Sequence, residues 1–317
     1  MCCVVEVIDF AITKHIQPMA VYICASKVSL TKCSAQGSLG YGIPYSLFDV
    51  NDTAIVSFSR FPDEIRFWIH YGLVMLGFLL AVITFIAQAC KPAPYGRHST
   101  GDEQGLVPAR IAYVITELVP GIVLFSLTYF LAGQCRFDAI NLAFYSLFTL
   151  HYIHRSFIHP CVTRYSSSKV AMWMPISTFI ANVIYHYVNA DFIGSVDYCQ
   201  HYYYDPRFII GLILFAVGFV LNRAADTQLV CMRKSRKDRE YYLPKGPLFC
   251  LISCPNYLGE MLQWAGWAIA TWSLAGLVWF LFTAATFIPR SYANHKWYHI
   301  KFKEYPTIRR ALIPFVF

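Results

Sequence analysis

Two side chains stand out against the apolar background of this sequence: Glu117 in ARIAYVITELVPGIVLF and Tyr152 in TLHYIHRSF. Burial among apolar groups favours the neutral form of a carboxyl, and a neutral carboxyl donates a hydrogen bond. A phenol and a neutral carboxyl together make a donor pair for a ketone oxygen, stabilising charge as it develops there. Each residue alone has a plainer reading. Glu117 suits an interhelical hydrogen bond equally well, and tyrosine flanked by His151, His154 and Arg155 more commonly decorates a membrane interface. The combination is what points to carbonyl chemistry.

A second group of polar residues follows downstream. Asn222 and Asp226 are four apart and share a helix face, and Arg233 continues nearly the same stripe. After Pro244, Gly246 and Pro247 break the chain, SCPNYLGE opens a new helix whose first turns carry Asn256 and Glu260. A helix N-terminus beside the basic loop RKSRKDREYYLPK attracts anions, so charged phosphates can dock there. Lys234, Arg236, Lys237 and Arg239 fit simple topology signals, whereas Arg233 fits a ligand contact. Arg290, then Asn294 or His295, then Tyr298 recur at helical spacing and form a set able to close over a nucleotide. Taken alone, His295 reads as a structural or surface histidine. No Walker loop occurs and no GxGxxG follows a strand, so any nucleotide is held without a Rossmann fold. Eleven cysteines are scattered, and Cys250 with Cys254 lacks a second pair to complete a zinc site. No metal is expected.

The elements that must position these groups are membrane helices. Hydrophobic residues make up 57% and charged residues 14% of the chain, far from the soluble average. Solid apolar runs near the roughly 20 residues of a helical crossing occur at Phe67–Ala89, Ile111–Leu131, Ala139–His154, Val170–Tyr187, Phe208–Val230 and Leu258–Ile288. The last run is longer than one span, and Ser273–Leu274–Ala275–Gly276 offers a break within it. The expected fold is an all-α integral membrane protein, a bundle of about seven transmembrane helices with cytosolic loops capping a cofactor site. The absence of period-two alternation excludes a barrel. Basic residues in the 233–245 loop and after Ile288 place these segments in the cytosol. The loop before the fifth span, carrying Asp191, Asp197 and Asp205, falls on the other side. The net charge of +8 is then mainly a topology signal, and no nucleic-acid partner is expected. Residues 1–65 read as an extension, lumenal by this topology and of unknown role, ahead of a membrane domain over 66–317. Val4–Ala25 carries too many polar residues to span, and MCCVVEVIDF lacks the features of a cleavable signal. Asn51–Asp52–Thr53 is a glycosylation sequon on the lumenal side.

From about Phe67 to Phe317 the chain resembles the steroid 5α-reductase family of integral-membrane reductases. The resemblance rests on APYGRHS, PARIAYVITELVP, LHYIHRSF, LNRAADTQLVCMRK, YYLPKGPLFCLISCPNYLGEMLQWAGWAIATWSL and HKWYHIKFKEYPTIRRALIPFVF, in that order. It implies NADPH on the cytosolic side, a steroid entering from membrane lipid, and a multi-pass protein of the endoplasmic reticulum membrane. In that family hydride passes to C5 of a Δ4-3-oxosteroid and C4 is protonated, with the glutamate and tyrosine on the 3-oxo group matching Glu117 and Tyr152. Cofactor contacts carry over to Arg155, Asn222, Asp226, Arg233, Tyr241, Asn256, Glu260, Arg290 and Tyr298, and His295 joins them by its spacing. Departures are Tyr242 for an arginine, Asn294 where relatives have the first of two consecutive histidines, Thr163 for an asparagine and His186 for a glutamine. Rival readings are a sister reductase of long-chain enoyl-CoA or a polyprenol, and a non-enzymatic sterol or lipid binder.

Overall fold

The computed structural model describes residues 56–58, 64–99, 106–133, 135–163, 169–198, 200–233 and 240–316. The Asn51 sequon, Cys2, Cys3 and the Val4–Ala25 run lie outside the described residues, as do Lys234 to Arg239.

Nine α-helices are described, and two π-helical links join four of them, so they form seven rods among the described residues. The first, α1, runs Glu64–Cys90. The second joins α2 (Ala109–Leu118) to α3 (Phe125–Ala132) through the π-helical turn Val119–Leu124. Pro120 sits in that turn and, lacking an N–H, cannot make the ordinary i→i−4 bond. The third joins α4 (Ala139–Ile153) to the short α5 (His159–Val162) through a π turn at His154–Ile158. Then follow α6 (Trp173–Ser195), α7 (Pro206–Cys231), α8 (Pro255–Thr271) and α9 (Leu274–Lys301). Two short antiparallel pairs tie connections together: β1 (Val56–Phe58) with β4 (Val196–Tyr198), and β2 (Leu106–Pro108) with β3 (Lys169–Ala171).

Local chemistry explains the helix ends. Asp205 caps α7 by accepting the Arg207 N–H at 2.8 Å, and Pro206 occupies the first position, where its missing donor costs nothing. The long last apolar run breaks as expected. Trp272 adopts φ 47, a left-handed stop, and Ser273 starts α9 by accepting the Gly276 N–H at 2.8 Å.

Four helical stretches are long and apolar enough to cross a membrane: Ile65–Cys90, Ala109–Leu131, Pro206–Cys231 and Leu274–Lys301. Leu79, Val82, Ile83 and Ile86 of α1 face outward, which suits lipid rather than water. Inside, the core is aromatic: Phe125 stacks on Phe148 with ring centres 3.8 Å apart, and Trp264 and Trp267 are wholly buried.

The α7–α8 pair is closely packed. Gly211 and Gly218 on α7 meet Gly259 and Gly266 on α8, and a Cβ on any of the four would run into the partner's backbone. Small residues permit this backbone approach, a familiar device of membrane helices.

Two expectations need correction. The fourth apolar rod does not run Val170–Tyr187; residues 169–171 form β3 and the helix continues to Ser195. Asp191 is therefore not a loop residue. It is fully buried in α6, where it accepts from Arg66 and lies 2.7 Å from His70 Nδ1. Period alone missed this because a buried acid reads as a span terminator unless its cations are known.

Candidate active site

Both chemistry-bearing residues of the sequence adjoin π turns. Glu117 lies in the last turn of α2, just before Val119–Leu124, and Tyr152 and Arg155 bracket the start of His154–Ile158. Such insertions re-aim side chains and frequently mark functional sites. They also bring the two rods together: a Cβ on Gly121 would overlap the Tyr152 ring, so only glycine lets the ring lie there.

Tyr152 is 2% exposed, its hydroxyl 2.6 Å from His186 Nε2. It is an interior residue, not an interface one. Glu117 is equally buried, yet it is not the isolated carboxyl its apolar surroundings suggest. Arg155 donates to it from Nη2 at 2.8 Å and from Nε at 3.1 Å. In this arrangement Glu117 accepts rather than donates. The reason is the helical turn that sequence spacing does not reveal: the π insertion swings Arg155 inward, where it also reaches Glu260 at 3.2 Å.

From Glu260 the polar chain continues outward. Asn222 donates to the Asn256 carbonyl at 2.8 Å and to Glu260 Oε2 at 3.4 Å. Asn256 in turn donates to Asp226 Oδ1 at 3.0 Å, and His159 stands 4.0 Å beyond. The expected sharing of a face by Asn222 and Asp226, and by Asn256 and Glu260, is thus borne out, and the two faces meet. Flanking pairs complete the layer: Arg223 with His154 at 2.6 Å and Gln263 with His151 at 2.7 Å.

Asp226 and His159 open onto a cleft of about 180 Å³ lined also by Arg97, Thr163, Arg233, Tyr241, Tyr242 and Tyr298. The Arg97 guanidinium lies over the Tyr298 ring at 4.4 Å, and Arg233 over Tyr241 at 5.1 Å. Among the described residues, Arg97 Nη1, Thr163 Oγ1 and Tyr241 Oη are buried there without a hydrogen-bond partner. Buried polar atoms of this kind ordinarily have one. The cleft therefore presents two guanidinium groups and several unmet polar atoms to an anionic, hydroxyl-bearing ligand.

Two expected members are placed elsewhere. Arg290 spends its guanidinium on the 91–98 loop, donating to the Ala93 and Tyr95 carbonyls at 3.1 and 3.0 Å. His295 turns to another side of α9, 2.6 Å from Ser253 Oγ. Of the two candidates at that step, Asn294 faces inward and accepts from His98 Nε2 at 2.9 Å. Burial, with Arg290 and Arg97 alongside, holds His98 below the usual imidazole range, although the Asn294 bond opposes the shift. Arg97 and His159 were missed as site residues. Arg97 lay within APYGRHS, but only the left-handed Gly96 (φ 64), which turns the loop back over α9, reveals its direction.

Comparison with known proteins places this geometry in context. A family model described as 3-oxo-5-alpha-steroid 4-dehydrogenase matches residues 172–317. The chain is 37% identical over 233 residues to the steroid 5-alpha-reductase DET2 of Arabidopsis thaliana, covering 71% of this chain and 88% of the relative. It is 33% identical over 249 residues to the 3-oxo-5-alpha-steroid 4-dehydrogenase 1 of Rattus norvegicus, covering 77% and 94%. It is 35% identical over 236 residues to the 3-oxo-5-alpha-steroid 4-dehydrogenase 2 of Mus musculus, covering 72% and 89%.

Proposed function

Because the chain belongs to the 3-oxo-5-alpha-steroid 4-dehydrogenase family, we propose that it reduces the C4–C5 double bond of Δ4-3-oxosteroids with NADPH. The observation that carries the reading is one continuous polar chain, Glu117–Arg155–Glu260–Asn222–Asn256–Asp226, running through an apolar bundle to a cationic cleft. Polar groups at such depth are costly in a membrane protein and so mark function.

The residues of the cleft fit the cofactor. Arg97 and Arg233 suit its phosphates, Asp226 its hydroxyl groups, and the unmet Thr163 Oγ1 and Tyr241 Oη its remaining polar atoms. Tyr298 supplies an aromatic wall, and Asn256, Asn222, Glu260 and Arg155 stand behind Asp226 in the hydrogen-bonded chain that leads inward from the cleft. Arg290 supports the cleft through the 91–98 loop, and His295 has no part in it. Bound there, NADPH supplies the hydride that C5 of the steroid receives.

The protein's own contribution is made at the 3-oxo oxygen. As hydride reaches the β-carbon of the enone, negative charge grows on that oxygen and must be stabilised. Tyr152 donates its hydroxyl hydrogen to it, positioned by His186. Glu117 is the second donor, and Arg155 is the group that gates it. While the guanidinium is turned toward Glu117 the carboxylate accepts from Arg155. Were Arg155 to turn wholly to Glu260, which it already reaches at 3.2 Å, Glu117 would be released toward the ketone. Removing one donor of such a pair typically costs about 3 kcal/mol of barrier.

In the cell we place the protein in the endoplasmic reticulum membrane, multi-pass, with all seven rods crossing and the C-terminus cytosolic. Residues 1–65 form a lumenal extension and 66–317 the reductase domain, and the steroid enters from lipid. The test is NADPH oxidation by detergent-solubilised protein, with a Δ4-3-oxosteroid and a long-chain enoyl-CoA in parallel and products identified by mass. A 5α-reduced steroid is expected. Oxidation with the enoyl-CoA alone would overturn the substrate assignment.

A further inference from the structure

The last turns of α9 hold a pair of histidines that the reaction does not use. His295 and His299 are four apart on one helix face, with their Nε2 atoms 3.2 Å apart. Two nitrogens bound to one tetrahedral zinc at about 2.0–2.1 Å stand about 3.3 Å apart, so the spacing matches the bite of a single ion. Tyr305 packs on both rings, at 5.6 and 4.5 Å between centres, which limits their rotation.

The hydrogen bonds around His295 suit the tautomer that carries its proton on Nδ1. Ser253 Oγ has one proton, and it donates that proton to the Arg310 carbonyl at 2.9 Å, a group that can only accept. With its proton placed on that carbonyl, Ser253 accepts from His295 Nδ1–H at 2.6 Å and from the Tyr305 hydroxyl, which also lies 3.3 Å from Nδ1. The second His295 nitrogen, Nε2, is then a bare lone pair directed at His299. An imidazole whose remote N–H is held by an oxygen is the arrangement found behind metal-ligating histidines, where it orients the ring and raises its basicity.

We propose that His295 and His299 chelate a divalent late first-row metal ion, zinc by geometry, at the end of α9. Without the ion, His299 donates its Nε2–H to His295. With the ion in that place, His299 carries its proton on Nδ1 instead, where solvent reaches it, so both ligands remain neutral and no proton is released. Among the described residues no group of three or more histidines, cysteines or acids gathers, so water completes the coordination. The ion would staple the last turn of α9 and, through Ser253, the start of α8.

The experiment is calorimetric titration of untagged, detergent-solubilised full-length protein with zinc chloride alone, wild type beside His299→Leu and Ser253→Ala. His299 is exposed, so its replacement leaves the bundle intact, and subtracting its isotherm removes uptake by the cysteines. Wild type should take up one more zinc equivalent than His299→Leu, and Ser253→Ala should weaken that uptake 10- to 100-fold. A thermal unfolding shift on adding zinc should appear in wild type and vanish in His299→Leu. Identical isotherms for wild type and His299→Leu overturn the proposal.

Discussion

Arg155 reaches Glu117 at 2.8 Å and, with its other terminal nitrogen, Glu260 at 3.2 Å. One guanidinium thereby joins the rod that precedes the first π turn to the opening turns of α8. Replacing it with alanine strands two buried carboxylates, and breaking such an ion pair by removing one partner costs about 3–5 kcal/mol. Arg155→Ala should unfold well below wild type in detergent, and the Glu117→Gln, Arg155→Ala double variant should recover part of the loss. Equal melting of the single and double variants would show that the pair carries no coupling.

Glu117→Gln and Tyr152→Phe keep shape and remove one polar function each. Both should lower steroid turnover by about 10²–10³-fold, with NADPH binding little changed. Because the Tyr152 ring is buried against Phe148 and Trp264, the phenylalanine should fold normally. Unaltered turnover in either variant removes that residue from the carbonyl site.

Arg97 and Arg290 separate a ligand contact from a support. Arg97→Ala should raise the half-saturating NADPH concentration by about 10- to 100-fold, the worth of a charged hydrogen bond, while the steroid requirement stays put. Arg290→Ala should instead lower the melting temperature with or without cofactor, since its bonds go to the Ala93 and Tyr95 carbonyls. An exchange of these two phenotypes would reverse the assignments.

The His98–Asn294 bond predicts a pH dependence. His98 has a folded pKa below its ordinary value, so its stabilising contribution is fully present above about 6.5 and is lost as pH falls through the lowered value. The protonated ring would sit beside Arg97 and Arg290. Cofactor affinity should therefore weaken as acidification proceeds below the ordinary imidazole range, and His98→Gln, which keeps a donor but does not titrate, should flatten that limb of the profile. A limb of the same steepness in His98→Gln excludes this loop as its source.

Gly259→Ala places a methyl group against the Gly218 carbonyl and the Asn222 backbone. Overpacking of this kind costs about 1–3 kcal/mol. Since Asn222 and Asn256 lie at the same crossing, both melting temperature and NADPH affinity should fall together. A rise in melting temperature would mean that the two helices can separate freely.

The sequence made the helical rods legible because solid apolar runs have few alternative uses, and the break at Ser273 was readable from small and capping residues. The common face of Asn222 and Asp226, and that of Asn256 and Glu260, also followed from four-residue spacing, whereas the meeting of the two faces did not. Other relationships were invisible for definite reasons. The π turns add a residue to the helical period, which is why Arg155 faces Glu117 when ordinary spacing gives no hint of it. Arg97 depends on one left-handed glycine, and the choice of Asn294 over His295 depends on 100° of helix rotation. The glycines at 211 and 218, and at 259 and 266, stand seven apart on two helices, but only their contact reveals what that spacing is for.

Asp191 carries a consequence for how the protein is made. Its carboxylate lies in α6, while its partners Arg66 and His70 lie over 120 positions earlier, at the start of α1. If α6 crosses the bilayer, as proposed above, a nascent α6 entering alone would expose an acid to hydrocarbon, at a cost of up to about 2.5–3.5 kcal/mol, the insertion-scale figure for a helix centre. The first rod leaves the ribosome before the fourth, so the basic end of α1 is already in place to receive it. The first described helix would thus serve as an intramolecular escort for a later one, and the order of synthesis would become part of the folding information.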